Sequence, residues 1–371
     1  MRMKKLFILA VAAIALVACS RTFEHETEGT GIGFGVWAEQ MTKAARDQGS
    51  SYFTGGGKQD NHFWVYGYKT IGGDDKGVFK SQEVTTTNGV DWTYTPKKFW
   101  DPGATSYTFF ALSRVEATDP TLDANKTASV TDGSFGSDDI TFAGNDQDIL
   151  VAKKVVVSKG DNNFNSWHTV DLDFHHIASI ADFKVKKSKN LANSTVEVTA
   201  VSLINVKNNG KYSVAYSGTD PIATWADAAS STTGTYTHES GVGEVTLPDN
   251  VPAYNVGSAD LIKSLIVRPH ELADTELLQI SYKITTPLDN SNNEVITVTN
   301  SQIKLNKFDK TDYLPDGAQT DAAQNVAPFI ASWEQGKHYI YYITIDVHTI
   351  EFTAAITDWE ETVSGYRYLL N

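Results

Sequence analysis

Along most of the chain, apolar and polar residues alternate with the period of two expected of a half-buried strand. Ile32, Phe34 and Val36 alternate with Gly31, Gly33 and Gly35. His62 to Lys69 is an aromatic run behind a Gly-Gly-Gly turn and reads as a buried strand. Trp92 to Tyr94 and Tyr107 to Leu112 follow, joined by a connection rich in turn residues (Pro96, Pro102, Gly103). Ile149 to Val157 and Thr169 to Ile177 are two more strands, the second with Val170, Leu172, Phe174 and His176 on one face. The same patterning predicts strands at Ile180 to Val185, Thr195 to Val206, Tyr212 to Ser217, Gly243 to Leu247, Leu277 to Thr285 and Glu294 to Thr299. It closes with Tyr339 to Val347 and His348 to Ile356. Helical candidates are scarce: Ser258 to Val267 and Ala322 to Gln335. Short strands between turn clusters, with no longer internal repeat, predict an all-β fold of two sandwiches in tandem. The polar break at Asp161 to Asn165 sets the boundary, giving a first sandwich over residues 31–163 and a second over 164–371.

The N-terminus has a different character. Arg2, Lys4 and Lys5 precede a short apolar run, Leu6 to Ala15, far below the roughly 20 residues a membrane-spanning helix needs. This is the layout of a secretory signal peptide over residues 1–18. It ends in Leu16-Val17-Ala18-Cys19, and Cys19 is the only cysteine of the chain. That arrangement resembles a bacterial lipobox, which predicts cleavage before Cys19 and acylation of its thiol (diacylglycerol, palmitate). Two or three acyl chains would anchor the mature protein firmly where one would not. Residues 19–30 carry Glu24, Glu26 and Glu28 and few apolar side chains, and read as a tether.

Composition narrows the function. At 371 residues and 41% hydrophobic, the chain can bury sizeable cores. Its net charge is −14, and losing the leader's three cations leaves 28 basic side chains against 45 acidic, or −17. An acidic chain lacks the basic face a nucleic-acid binder uses to displace counterions from phosphate. One cysteine rules out an internal disulfide framework and any zinc site built on several cysteines.

Motifs for catalysis are missing. No G-x-S-x-G nucleophile elbow occurs. Thr54-Gly55-Gly56-Gly57-Lys58 resembles a phosphate loop only faintly, because the first glycine is lacking and Gln59 stands where Ser or Thr belongs. The glycines at 29, 31, 33 and 35 open no helical pattern, so a closely packed strand is the reading rather than a dinucleotide loop. Asp171, Asp173 and His175 share one strand face, which could present metal ligands but equally describes an ordinary wet face. His176, on the apolar face, reads as a core histidine with a hydrogen-bond partner. Asn145-Asp146-Gln147-Asp148 lacks the glycine and glutamate of a calcium loop, and Asp138-Asp139 reads as a loop. No cofactor is implied and no enzyme is expected. Trp64, Trp92, Trp100, Trp167, Trp225, Trp333 and Trp359 could stack on sugars, yet most fall on alternating strands where core is the default.

A family resemblance draws these features together. The lipobox, the acidic tether and four ordered stretches are similar to the fimbrillin family, the type V pilins of Bacteroidales. The stretches are Phe63 to Tyr68, Trp92 to Trp100 leading to Tyr107 to Ala111, Val170 to Ile180, and Gly336 to Trp359. The resemblance implies transthyretin-like sandwiches, a structural role in a fimbria, and transit through the outer membrane to the cell surface. It also implies assembly by strand exchange. A trypsin-like protease cuts after an arginine behind the first strand, the strand leaves, and a strand from another subunit's C-terminal region fills the groove. Arg46 is the one arginine of six between the Ile32–Val36 strand and the Phe63 strand, so residues 31–37 would be released with Ile32, Phe34 and Val36. A lone basic residue in a polar loop also fits an arginine that nothing cuts. The donor region implied is 348–371, with Ile350, Phe352, Ala354 and Ile356 alternating. Only twelve residues follow Trp359, short for a swapping pair of strands, which leaves stalk, tip and anchor roles open. The partners implied are other pilin subunits and the processing protease. The competing readings are a surface glycan-binding lipoprotein, which would cluster exposed aromatics, and a glycoside hydrolase, which would converge two carboxylates in a cleft.

Overall fold

The computed structural model describes residues 31–38, 62–88, 91–114, 135–136, 140–142, 148–160, 169–227, 233–238, 259–289, 292–307, 309–310, 330–346 and 350–358. The fold is all-β, with only two single-turn 3-10 helices, Lys189–Leu191 and Leu305–Lys307, among these residues.

The strands of the first half are β1 (Gly33–Ala38), β2 (His62–Ile71), β3 (Asp74–Thr86), β4 (Trp92–Thr93), β5 (Ser106–Arg114), β6 (Phe135–Gly136), β7 (Ile140–Thr141), β8 (Ile149–Ala152), β9 (Val155–Ser158) and β10 (Thr169–His176). Eight of them form one sheet in the order β1-β10-β8-β5-β2-β3-β4, with β9 also on β5. All neighbours are antiparallel except β1, which runs parallel to β10. The sheet rolls until its ends meet: Gly31 bridges Phe99, and the Ile32 amide donates to the Lys98 carbonyl at 2.8 Å. Inside the roll lies an aromatic core that includes Ile32, Phe34, Phe63, Phe79, Tyr94, Phe109 and Phe174.

The outer face of the roll is buried too. On β2 the first six residues, His62 to Gly67, are all buried, because alternate side chains face two different cores. Trp64, Tyr66, Phe110, Leu112 and Val151 join a second core that continues through the C-terminal half. The strands that follow are β11 (Ser179–Lys187), β12 (Thr195–Lys207), β13 (Asn209–Ser217) and β14 (Asp220–Ala226), whose side chains share that second core. The β13–β14 hairpin lies on the roll, with Tyr216 against Phe110 at 5.2 Å and the Tyr216 hydroxyl donating to the Ala152 carbonyl at 3.0 Å.

The remaining strands are β15 (Thr233–His238), β16 (Ala259–Val267), β17 (His270–Glu271), β18 (Leu277–Asp289), β19 (Asn292–Lys304), β20 (Asp309–Lys310), β21 (Ser332–Trp333), β22 (Lys337–Ile345) and β23 (Ile350–Asp358). They build a sheet β16-β11-β22-β23-β20, a sheet β15-β12-β18-β19 and the small pair β17–β21. Phe183 and Tyr341 stack at 4.7 Å within a core shared with Val198, Leu203, Leu278 and Ile280.

Four expectations differ from what is observed. Thr169–His176, assigned above to the second sandwich, belongs to the first sheet as β10, and the chain crosses to the C-terminal sheets only at Ile177 and Ala178. A polar break marks a surface connection, which joins strands of one sheet as readily as two domains. Residues 259–267 form strand β16 on β11, not a helix; a short apolar run does not distinguish the two, and sheet pairing decides. Of the second helical candidate, residues 322–329 lie outside the described residues and Ser332–Trp333 is a strand. The Ile149–Val157 strand is broken in two, because the amides of Lys153 and Lys154 turn to the carbonyls of Asp173 and Thr219.

Candidate functional site

The region around β1 combines a filled core with a backbone that, among the described residues, is laddered on one side. Its inward residues are Ile32, fully buried, and Phe34, 4% exposed, with Val36 half-buried beside them. The Phe34 ring meets four others: Phe79 at 5.5 Å, Tyr94 at 5.7 Å, Phe109 at 6.1 Å and Phe63 at 6.3 Å. Those rings come from β2, β3, β5 and the segment after β4, so one side chain ties β1 to most of the roll. The backbone pairs with β10 from Gly33↔Thr169 to Ala38↔Phe174. Among the described residues, the opposite edge makes isolated contacts rather than a ladder. The Tyr94 hydroxyl donates to the Ile32 carbonyl at 2.6 Å and receives the Lys98 amide at 3.3 Å. Burial raises the Tyr94 phenol above its ordinary range against the lowering effect of that backbone bond, so it stays a neutral donor.

Glycines occupy the outward positions 31, 33 and 35, just before and along β1. A Cβ on Gly35 would come 2.6 Å from Asp171 Oδ1, and one on Gly31 would come 3.0 Å from Lys97 Cε, so neighbouring side chains fold over the bare backbone. Lys97 in turn sits above the Tyr94 ring, 4.9 Å from its centroid.

The polar face of β10 is engaged in ion pairs. Lys153 Nζ stands 3.0 Å from Asp173, and His175 lies 3.4 Å from the same carboxylate. Burial pulls the Asp173 carboxyl upward, but hydrogen bonds from His175 and Lys153 outweigh it and leave the group below its ordinary range. Asp171 is exposed beside Gly35. The expected core histidine, His176, is buried with Nδ1 2.9 Å from the buried Asp148. Among the tryptophans, Trp64, Trp92 and Trp333 are buried and Trp100 and Trp225 half-buried, while Trp167 and Trp359 lie outside the described residues.

The remaining predicted site residues are distributed as follows. Cys19 and Arg46 lie outside the described residues. So do Arg2, Arg21 and Arg367, whereas Arg114 is paired with Ile149 inside β5 and Arg268 is buried, its guanidinium 2.7 Å from Asp227. Ile350, Phe352, Ala354 and Ile356 lie on β23, which pairs with β22 along nine residues and with β20 along two. Sequence reasoning missed Tyr94, Lys97 and Lys98 as the far wall of the β1 site. The alternation at Trp92 to Tyr94 signals a strand there but not which strand it faces.

Residues 42–359 match the family model described as Fimbrillin-like. The chain belongs to the fimbrillin-like family. β1 precedes the matched stretch. Among curated relatives, this fimbrillin-like chain is similar to the fimbrium subunit Fim1C of Phocaeicola vulgatus, 25% identical over 218 residues, which is 54% of this chain and 56% of that one. The match thus spans little more than half the relative's length. Among solved structures, a fimbrial protein from Bacteroides vulgatus shares the fold with a TM-score of 0.50 and 17% identity, covering 88% of this chain and 99% of that one. The tip fimbrial protein Mfa3 of Porphyromonas gingivalis is more distant, at TM-score 0.38 and 10% identity over 81% of this chain and 95% of that one.

Proposed function

We propose that this chain is a structural, non-catalytic subunit of a cell-surface fimbria. It is exported as a lipoprotein on Cys19 to the outer membrane and assembled by exchange of its first strand. The observation that carries the reading is the imbalance at β1. Ile32 and Phe34 fill the first core, yet the strand has a ladder on one side only among the described residues. Such a strand is removable in one piece. Its loss uncovers an apolar groove and the β10 edge, a template that another strand completes through main-chain bonds and alternating pockets.

Cleavage after Arg46 by a trypsin-like protease would free both the lipid and β1. The two arginines among the described residues are poor targets: a protease needs an extended, accessible chain, while Arg114 is in a ladder and Arg268 is buried. The partner strand comes from another pilin subunit, and residues 348–371 are the donor region proposed here.

Mild digestion of the mature protein, followed by N-terminal sequencing and gel filtration, tests this. The expected result is a new N-terminus at Asp47 and oligomer ladders that resist cold SDS, both abolished by Arg46→Gln. A chain that stays intact at Arg46, or that is cut and remains monomeric, would overturn the polymerising role.

A further inference from the structure

We infer that the connection Lys97–Trp100, at the end of the first sheet where the chain enters β1, is a docking surface for the anionic phospholipid leaflet that holds the protein's own lipid anchor. This rests on the lipoprotein reading and adds to it a second, non-covalent contact that orients the chain on the membrane.

Three observations meet at this end of the roll. The first is an apolar ring turned outward. Phe99 is 53% exposed, the most exposed aromatic side chain among the described residues. Its neighbours on both sides are fastened. The Lys98 carbonyl accepts the Ile32 amide at 2.8 Å, and the Trp100 ring packs on Tyr107 at 4.7 Å and on Phe109 at 5.9 Å. The Asp101 amide donates to the Tyr107 hydroxyl at 2.6 Å. With its backbone bridged to Gly31 as well, Phe99 is held out of the core.

The second observation is charge. In a chain of net charge −14, five lysines gather around this connection. Lys97 and Lys98 adjoin Phe99 directly. Lys69 and Lys76 face each other across β2 and β3, and both act on Asp101. Lys159 Nζ donates to the Pro102 carbonyl at 3.1 Å. The acids here are Asp74, Asp75 and Asp101; Asp101 is bound by Lys69 at 2.5 Å, and Asp75 accepts the Thr70 hydroxyl at 2.7 Å. An aromatic ring beside cations suits the surface of an anionic leaflet. The ring settles at the boundary between headgroups and acyl chains, and the lysine stems extend their ammonium groups to the phosphates.

The third observation is connectivity. Gly31 lies against Phe99, and twelve residues of chain lead back from it to Cys19. That length reaches at most about 40 Å. An anchor at Cys19 therefore keeps this end of the sheet near the bilayer, where a contact too weak to recruit the protein from solution acts at high effective concentration. The acidic remainder of the chain is repelled by the same leaflet, so docking has one preferred orientation. Gly31 to Ala38 covers seven strand steps, about 23 Å. The chain leaving β1 toward Arg46 thus starts from the end remote from the membrane, where a soluble protease has access.

The test supplies the anchor chemically, so that docking and lipidation fail separately. The Cys19 thiol of residues 19–371 is coupled to a maleimide-headgroup lipid in vesicles of equal parts phosphatidylglycerol and phosphatidylcholine. Benzoylphenylalanine in place of Phe99 should then crosslink to phospholipid on irradiation. In place of Leu288, which is 64% exposed in the C-terminal sheets, the yield should be at least about tenfold lower. Without the anchor, Lys97→Gln with Lys98→Gln should weaken co-flotation with these vesicles roughly tenfold at low salt, and Phe99→Ser should weaken it too. Urea midpoints should stay unchanged, and Lys211→Gln, at an exposed site on β13, should float like the parent chain. Equal crosslinking at positions 99 and 288, or flotation indifferent to the lysines, would overturn the proposal. Crosslinks from position 99 to residues 20–30 or to a second copy of the chain would overturn it as well, by showing that something else covers the ring. None of these results touches the lipoprotein reading, which falls instead if Cys19 of protein taken from its own cells carries no acyl chain by mass spectrometry.

Discussion

Replacing Phe34 with alanine tests how β1 is held. The ring is 4% exposed and touches four aromatic neighbours between 5.5 and 6.3 Å. Removing a buried phenylalanine costs about 3–5 kcal/mol, less where neighbours collapse into the space and more where they cannot. Here the lining rings belong to strands fixed in ladders on a closed roll, which limits collapse and points to about 4 kcal/mol. In the intact chain this should appear as an earlier urea midpoint for the first unit at unchanged slope, read by tryptophan fluorescence from Trp92 and Trp64. In protein nicked at Arg46, where β1 is held by contacts alone, about 4 kcal/mol is a loss of roughly a thousandfold in retention, measured as release of the fragment on gel filtration. A loss below about 1 kcal/mol in both assays would refute the anchoring role of Phe34, since an exposed or readily refilled site behaves that way.

Glycine substitutions should separate close approach from mere strand propensity. Gly210→Ala places a Cβ 2.7 Å from the Ala226 carbonyl and 2.9 Å from Arg268 Nε, and should lower stability by about 2 kcal/mol in urea unfolding. Gly33→Ala meets only Thr169 at 3.8 Å and should be neutral or stabilise by about 0.5 kcal/mol. Acid stability should depend on Glu276, whose carboxylate accepts from His270 Nε2 at 2.7 Å and from the amides of Lys207 and Ala273. Burial raises this carboxyl, but the His270 bond and charge and the two amides outweigh it and hold it below its ordinary 4.5. A depressed folded-state pKa contributes stability above the unfolded value and loses it as pH falls through the folded one. The urea midpoint should therefore drop as pH is lowered below about 4.5, and Glu276→Gln should flatten that drop while lowering the midpoint at pH 7; an unchanged acid limb would count against the pair.

Much of the fold was legible in the sequence because strands with a wet face announce themselves. Ile32, Phe34 and Val36 marked β1, and the alternation in Thr169–His176 marked β10, but nothing local linked the two. They are separated by more than 130 residues, and parallel pairing carries no hairpin signal. β3 was missed because Asp74 to Gly77 is exposed and charged, so its only inward residues, Phe79 and Val84 among them, are too sparse to form a pattern. β16 was misread because Leu261, Ile262, Leu265 and Ile266 satisfy a helical spacing as well as a strand. The site fared similarly. Its inward residues could be named from alternation, whereas the closing hydrogen bonds of Tyr94 and Lys98 depend on how the sheet rolls.

The parallel alignment of β1 on β10 also has a mechanical meaning. A neighbouring subunit bound through a strand in the place of β1 would be attached at that strand's N-terminal end. β10 continues from its own C-terminal end through Ile177 and Ala178 into β11 and the rest of the molecule. Tension along a filament would therefore act at opposite ends of two strands that point the same way. The six ladder pairs from Gly33↔Thr169 to Ala38↔Phe174 would be sheared together. An antiparallel occupant would carry both loads at one end, and its bonds would open one after another like a zipper. In such an exchange, the direction of a single strand would decide whether the joint resists pulling with all its bonds at once or with only the last.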